Sequence, residues 1–400
     1  MNRLRSPRVL LALTFLGFIS LGLPDAINGV IWPSVSNHFN VPLGNLGLFL
    51  IAFTAGYLTA SLSIVRLLEK LGVGGLLTMS CGFVILSLVG FATAPTWSLY
   101  LLSSVFAGLG AGAIDTGLNA YAARHFSAKH MTWLHACWGI GASTGAAIAA
   151  AVIAQNFSWR WSPLTLALIL TPITIIFFFA RAAWSEDAPV EEGSAKTTQT
   201  SARLTESLRH PLVWLQALIF FLYVGTEASF GQWAYTLLTQ ARGVSETSAG
   251  FAVSLYWISL TAGRFVLGSI ADRVPAKKMI GFAMSSALVG GLIFVLSHSV
   301  ALSTTGLMIV GVSFAPIYPG LMSQTPSRLG RYSESTIGFQ IASGLLGAVA
   351  IPSLGGILVR AYGVGSLNSF FLALAPALWL LTLILIFEFV KLSHEEPAAT

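Results

Sequence analysis

At 400 residues, 55% hydrophobic and only 9% charged, with a mean hydropathy of +0.78, the chain is too apolar for a soluble enzyme, a disordered scaffold or a single-pass receptor. A formal net charge of +6 invites a nucleic-acid reading, but the basic residues flank apolar runs instead of clustering, which is a topology signal. A spanning helix needs about 20 apolar residues. Apolar runs between polar breaks predict twelve: 8–32, 44–66, 73–93, 97–122, 131–155 and 161–181, then 212–238, 247–270, 277–298, 299–322, 335–359 and 366–390. The first run follows Arg3, Arg5 and Arg8, as a signal peptide does, yet it continues without a small-residue cleavage site and reads as a retained helix. Residues 182–210, with Glu186, Asp187, Glu191 and Glu192, form the longest polar stretch. That stretch reads as a solvated linker between two units, 1–181 and 211–400. Cys81 and Cys137 lie inside apolar runs without metal-ligand spacing and read as small buried residues.

Twelve spans put both termini on one side. Seventeen of the 21 Lys and Arg residues fall on that side, against Arg160, Arg242 and Arg360 opposite and Arg264 within a span. Both termini are therefore expected in the cytoplasm, in the plasma membrane (the inner membrane of a bacterium).

The halves repeat. Residues 54–70 laid over 261–277 match Thr54-Ala55-Gly56 to Thr261-Ala262-Gly263, Arg66 to Arg273 and Lys70 to Lys277. Asp25 and Gly29 fall on Glu227 and Gly231, each followed by a tryptophan, Trp32 and Trp233. His135 with Gly139 falls on Gln340 with Gly344, and Gly117-Leu118 on Gly320-Leu321, which sets Asp115 opposite Tyr318. Four matches in chain order predict an all-α membrane protein of two pseudo-symmetric six-helix bundles, the plan of transporters that rock around a central site.

Only three acids fall inside spans: Asp25, Asp115 and Glu227. A charge there is costly, so each should face a protein-lined cavity or tie two helices together. A carboxyl buried without a cation holds its proton, which makes these three the candidates for proton coupling. Arg264, near the cytoplasmic end of span 8, is expected to be too distant to neutralise all three and reads first as a gate residue or a snorkelling arginine. Asn119 lies one turn from Asp115, and Asn28 lies three residues from Asp25. With Gln232, Trp233, Trp257, Tyr318 and Gln340 they offer amides, a hydroxyl and ring faces suited to a polyhydroxylated ligand, against the alternative of core or lipid packing. Gly108, Gly110, Gly112 and Gly117 read first as sites of close helix packing. Trp138 and Trp379 have no evident polar companion, and His135 is either a proton relay or half of a helix-to-helix hydrogen bond.

Gly268-Ser-Ile-Ala-Asp272-Arg273-Val-Pro-Ala-Lys277-Lys278 resembles the cytoplasmic gate loop of the major facilitator superfamily, with Pro275 where a second glycine is usual. The copy at 61–71 keeps Arg66 and Lys70 but has Val65 at the aspartate position. Within that superfamily, Gly108 to Tyr121, Leu222-Tyr223-Val224-Gly225, Ala315-Pro316-Ile-Tyr318-Pro319 and Gly338-Phe-Gln340 resemble the fucose permease group of proton-coupled sugar symporters. The resemblance implies the major facilitator fold, a proton site at Asp115 and a sugar contact at Asn119. The sequence departs from the group twice. Its span-1 acid, Asp25, lies a turn earlier than the group's second functional acid, and Glu227 stands where the permease has an amide.

The expected function is a monomeric secondary transporter for a small polar solute, a sugar first of all. It is expected to use H+ (or Na+) as coupling ion, to need no other cofactor and to engage no nucleic acid. Proton-driven export of amphipathic compounds and lipid translocation are the alternatives, followed by a membrane sensor on a transporter fold. No nucleotide-binding motif supports an ATP-driven pump.

Overall fold

The computed structural model describes residues 6–126, 128–184, 204–270 and 273–395. Asp272 of the gate loop and most of the 182–210 stretch, with Glu186, Asp187, Glu191 and Glu192, lie outside the described residues. Among the described residues every regular element is a helix, and twelve are long and apolar enough to cross a membrane. They are span 1 (Pro7–His38), span 2 (Leu43–Leu62), span 3 (Ile64–Thr93), span 4 (Trp97–Ala122), span 5 (Trp133–Ala154) and span 6 (Trp161–Ala183). The second half holds span 7 (Pro211–Ala241), span 8 (Glu246–Leu267), span 9 (Ala276–Leu296), span 10 (Val300–Ser323), span 11 (Thr336–Tyr362) and span 12 (Ser366–Leu385).

Three local features depart from the simple apolar runs. Span 1 is two helices, Pro7–Gly22 and Ile27–His38, because Pro24 has no N–H to continue the ladder. Asp25 occupies the break. Span 10 likewise divides at Pro316, into Val300–Phe314 and Ile317–Ser323, with Tyr318 just beyond. In Ile64–Thr93, Gly72 turns the chain sharply at φ 63°, so 64–71 is a separate short helix and the span proper starts at 73, as its apolar run predicts.

The helix pairings repeat between halves. Spans 1 and 5, 2 and 4, 3 and 4, and 3 and 6 pack together in the first half. Spans 7 and 11, 8 and 10, 9 and 10, and 9 and 12 do the same in the second. The expected glycines serve this packing: a Cβ on Gly108 would fall 1.8 Å from the Phe53 carbonyl oxygen, and one on Gly112 2.4 Å from that of Tyr57. Cys81 and Cys137 are buried and unpaired with each other.

Each half also uses one arginine to cap its third helix at the end away from the termini. Arg160 donates to the Ala92 and Ala94 carbonyls at 2.7 and 3.1 Å, and Arg242 donates to those of Phe294, Val295 and Ser297 at 2.8 to 3.2 Å. Both sets of carbonyls are orphans of a helix C-terminus, where a cation is favoured. Burial among these partners pulls the Arg242 guanidinium below its ordinary pKa. Two of the three arginines on the sparsely charged side are thus accounted for as helix caps.

The halves meet through spans 5 and 8, 2 and 11, and 1 and 7. Spans 5 and 8 touch at several levels, from Ala150 and Gly250 through Ser143 and Thr261 to His135 and Arg264. Spans 2 and 11 approach at Gly44 with Gly356 and at Gly47 with Ser353, all in the half of the membrane opposite the termini. The glycine contacts between these two spans thus lie at the end away from the termini.

Candidate transport site

The break in span 1 presents Asp25 toward span 5, where Oδ2 accepts the Trp138 indole N–H at 2.8 Å. On span 4, Asp115 and Asn119 sit one turn apart, and Asn119 donates to Asp115 Oδ1 at 2.8 Å. Tyr57 of span 2 donates its hydroxyl to the other oxygen. The two aspartates lie near enough to feel one another's charge. Among the described residues their hydrogen-bond partners are neutral: an indole, an amide and a phenol.

Glu227 on span 7 is held differently. Tyr223, one turn earlier, donates to Oε2 while Arg264 of span 8 reaches Oε1 at 3.4 Å, with both ionic side chains 11% exposed. Arg264 also donates to the His135 carbonyl at 3.3 Å and lies 5.3 Å from the centre of the Trp138 ring. Arg264 thus reaches one of the three membrane acids, Glu227, while Asp25 and Asp115 have other partners. Its place on the inner face of span 8, with a long flexible stem, brings the guanidinium back to mid-membrane depth. The expectation for Trp138 is corrected, since its polar companion is Asp25, and Trp379 donates to Ser285 Oγ at 3.1 Å.

Tyr318, past the break in span 10, feels the charges of Asp115, Arg264 and Glu227 and completes the wall between the halves. Its ring lies 6.2 Å from that of His135, which stands edge-on to Phe18. Trp257 packs edge-on to Trp138 with ring centres 5.5 Å apart, and its buried N–H has no partner among the described residues. Gln232 also keeps an unpartnered carbonyl oxygen, beside the contact where a Cβ on Gly29 would lie 2.1 Å from the Gly231 carbonyl. Asn28 is nearly buried one residue before Gly29.

Two expected solute contacts are not brought to this wall. Trp233 is fully buried and donates to the Pro352 carbonyl of span 11 at 2.9 Å, where it pins spans 7 and 11. Gln340 is fully buried in a knot with Gln216 and Thr325, inside the second half. In the gate loop Arg273 and Lys278 are exposed and Lys277 is half-buried; in the first-half copy Arg66 and Lys70 are exposed on the short 64–71 helix. Gly268 ends its run within the helix Glu246–Ile270.

Tyr57, Trp138, Tyr223 and Arg264 were not among the expected site residues. For two of them the sequence held a signal: the register that lays 54–70 on 261–277 sets Tyr57 opposite Arg264. Trp138 gave none, because nothing in a single sequence shows that a tryptophan on span 5 faces a helix break on span 1.

A sequence profile of the Major Facilitator Superfamily matches residues 13–340, and the chain belongs to that family. It is a multi-pass membrane transporter and not an enzyme. It is 26% identical over 386 residues to "Bypass of stop codon protein 6" of Saccharomyces cerevisiae, covering 87% of this chain and 76% of that one. It is 25% identical over 383 residues to a glucose/galactose transporter of Brucella abortus, covering 89% and 88%. It is 24% identical over 385 residues to sodium-dependent glucose transporter 1 of Homo sapiens, covering 86% and 72%. Its backbone follows the E. coli fucose:proton symporter with a TM-score of 0.64 at 16% identity, over 95% of this chain and 99% of that one.

Proposed function

We propose that the protein is a monomeric proton-coupled symporter of a sugar, in which residues 1–181 and 211–400 rock as two bundles joined by the 182–210 linker. The observation that carries the reading is the contrast among the three membrane acids. Asp115 and Asp25 are held by neutral donors, an environment in which a carboxyl can take up and release a proton, whereas Glu227 has a guanidinium beside it. Asp115 and Asp25 are the coupling sites, and Glu227 serves as the fixed counter-ion of Arg264. Asn119, Tyr318, Gln232 and Trp257 supply the amides, hydroxyl and ring faces for the solute, with Asn28 at the edge. The relatives named for glucose and galactose support a sugar as cargo.

With the termini in the cytoplasm, the approach of Gly44 to Gly356 and Gly47 to Ser353 lies on the outer side, which supports an inward-facing state, the one from which sugar and proton leave. The membrane potential assists import, since one charge moved through 100 mV is worth about 2.3 kcal/mol. The relative named as sodium-dependent supports a second reading in which Na+ replaces H+. Purified protein in liposomes decides between them. An inward pH gradient should drive accumulation of labelled glucose, galactose or fucose above equilibrium, abolished by a protonophore. Accumulation driven by a sodium gradient alone would replace the proton, and no accumulation with either would remove the symporter reading. Pumping of apolar cations outward would establish the export alternative.

A further inference from the structure

One side chain at the interface between the halves touches both an acid and a cation. Trp138 donates its N–H to Asp25, while Arg264 lies over its ring and Trp257 packs against the same indole. With an acceptor at its edge, a cation near its face and a second indole edge-on, the ring cannot turn without moving one of them. Arg264 in turn holds Glu227 and the His135 carbonyl. The sequence Asp25, Trp138, Arg264, Glu227 therefore runs from span 1 through spans 5 and 8 to span 7, out of one half and into the other.

We propose that Trp138 is a positioning residue for coupling, through which the charge state of Asp25 is felt at Arg264. This rests on the proton-symport reading. An ionised carboxylate is the stronger hydrogen-bond acceptor, so release of the Asp25 proton to water tightens the indole N–H bond and fixes the ring beneath Arg264. Protonation weakens that bond and lets Arg264 slacken its hold on Glu227 and on span 5. The ring face itself attracts the guanidinium, so indole and cation move together. The other ionisable groups that face Asp25 are Asp115 from span 4 and Tyr57 from span 2, and on span 5 His135 faces Arg264. Asp25 and Asp115 interact, so uptake reports the titration of the pair.

The test is the pH profile of sugar uptake in proteoliposomes. Trp138→Phe keeps a ring for Arg264 and removes the donor to Asp25. Its uptake midpoint is expected to move alkaline by about one pH unit, the scale of one lost charge-assisted hydrogen bond, with sugar exchange within about twofold of wild type. Trp138→Leu removes the ring as well, and exchange should fall about tenfold. In an Asp25→Asn background, Trp138→Phe should displace the midpoint no further. A purely structural tryptophan would lower the amount of folded protein or the rate and leave the midpoint in place. A Trp138→Phe profile that superimposes on a proton-coupled wild type overturns this inference and leaves symport intact, whereas a wild type without pH-driven uptake removes both. Should Trp138→Phe fail to fold, the midpoint of Trp138→Leu decides: an alkaline displacement supports the proposal, and a wild-type midpoint overturns it.

Discussion

Tyr57 and Arg264 occupy the same place in the two halves, 207 residues apart, and each holds an acid in the middle of the membrane. The acids themselves are not equivalent, since Tyr57 reaches Asp115 on span 4 and Arg264 reaches Glu227 on span 7. A phenol leaves its carboxyl free to exchange a proton, while a guanidinium competes with the proton for the charge. In the proposed mechanism one half thus carries the titratable acid and the other a fixed ion pair.

The ion pair predicts a thermodynamic signature. Glu227→Gln leaves the Arg264 charge partly buried without a counter-ion, and Arg264→Gln does the same to Glu227, so each single variant should lose about 3 kcal/mol of stability. The double variant Glu227→Gln/Arg264→Gln should recover most of that loss, because neither charge is then stranded. Thermal unfolding in detergent measures all four proteins. Additive losses in the double variant would show that the two side chains do not support one another.

Tyr57→Phe tests the first-half counterpart. The phenol donates to Asp115, and a donor favours the ionised carboxylate, so its removal makes Asp115 a weaker acid. In the proposed symport, uptake depends on the protonated form outside and the ionised form inside, so its alkaline limb should move to higher pH by about one unit. An unmoved limb in Tyr57→Phe, with the protein folded, would mean that this hydrogen bond does not tune coupling.

Closure between spans 1 and 7 depends on two glycines, also symmetry mates. A Cβ at Gly29 would lie 2.1 Å from the Gly231 carbonyl oxygen and 3.1 Å from the Gln232 Cα, backbone atoms that cannot yield as a side chain would. Gly29→Ala should therefore hold the end away from the termini open. Labelling of single cysteines placed on spans 2 and 11 near Gly47 and Ser353 reports this, with faster reaction expected in the variant. Unchanged labelling would place the hinge elsewhere.

Much of this was legible in the sequence. Twelve spans, the duplication and the three isolated acids all follow from hydropathy and register, because a bilayer punishes every exception. The pairing of Asp115 with Asn119 also follows, since one helical turn separates them. What one sequence could not give was contact between distant helices. Which of the three acids Arg264 reaches, Glu227, depends on where its long stem runs between helices. Trp233 and Gln340 looked like solute contacts because amides and indoles serve equally well to pin spans 7 and 11 or to lock a knot with Gln216.

The central claim is that Asp115 carries the proton. Asp115→Asn keeps the shape and an acceptor for Tyr57 and removes the titratable group. Purified in liposomes, it should lose accumulation of labelled sugar under an inward pH gradient while keeping exchange of internal for external sugar at a substantial fraction of the wild-type rate. Accumulation at the wild-type level in this variant would contradict the account.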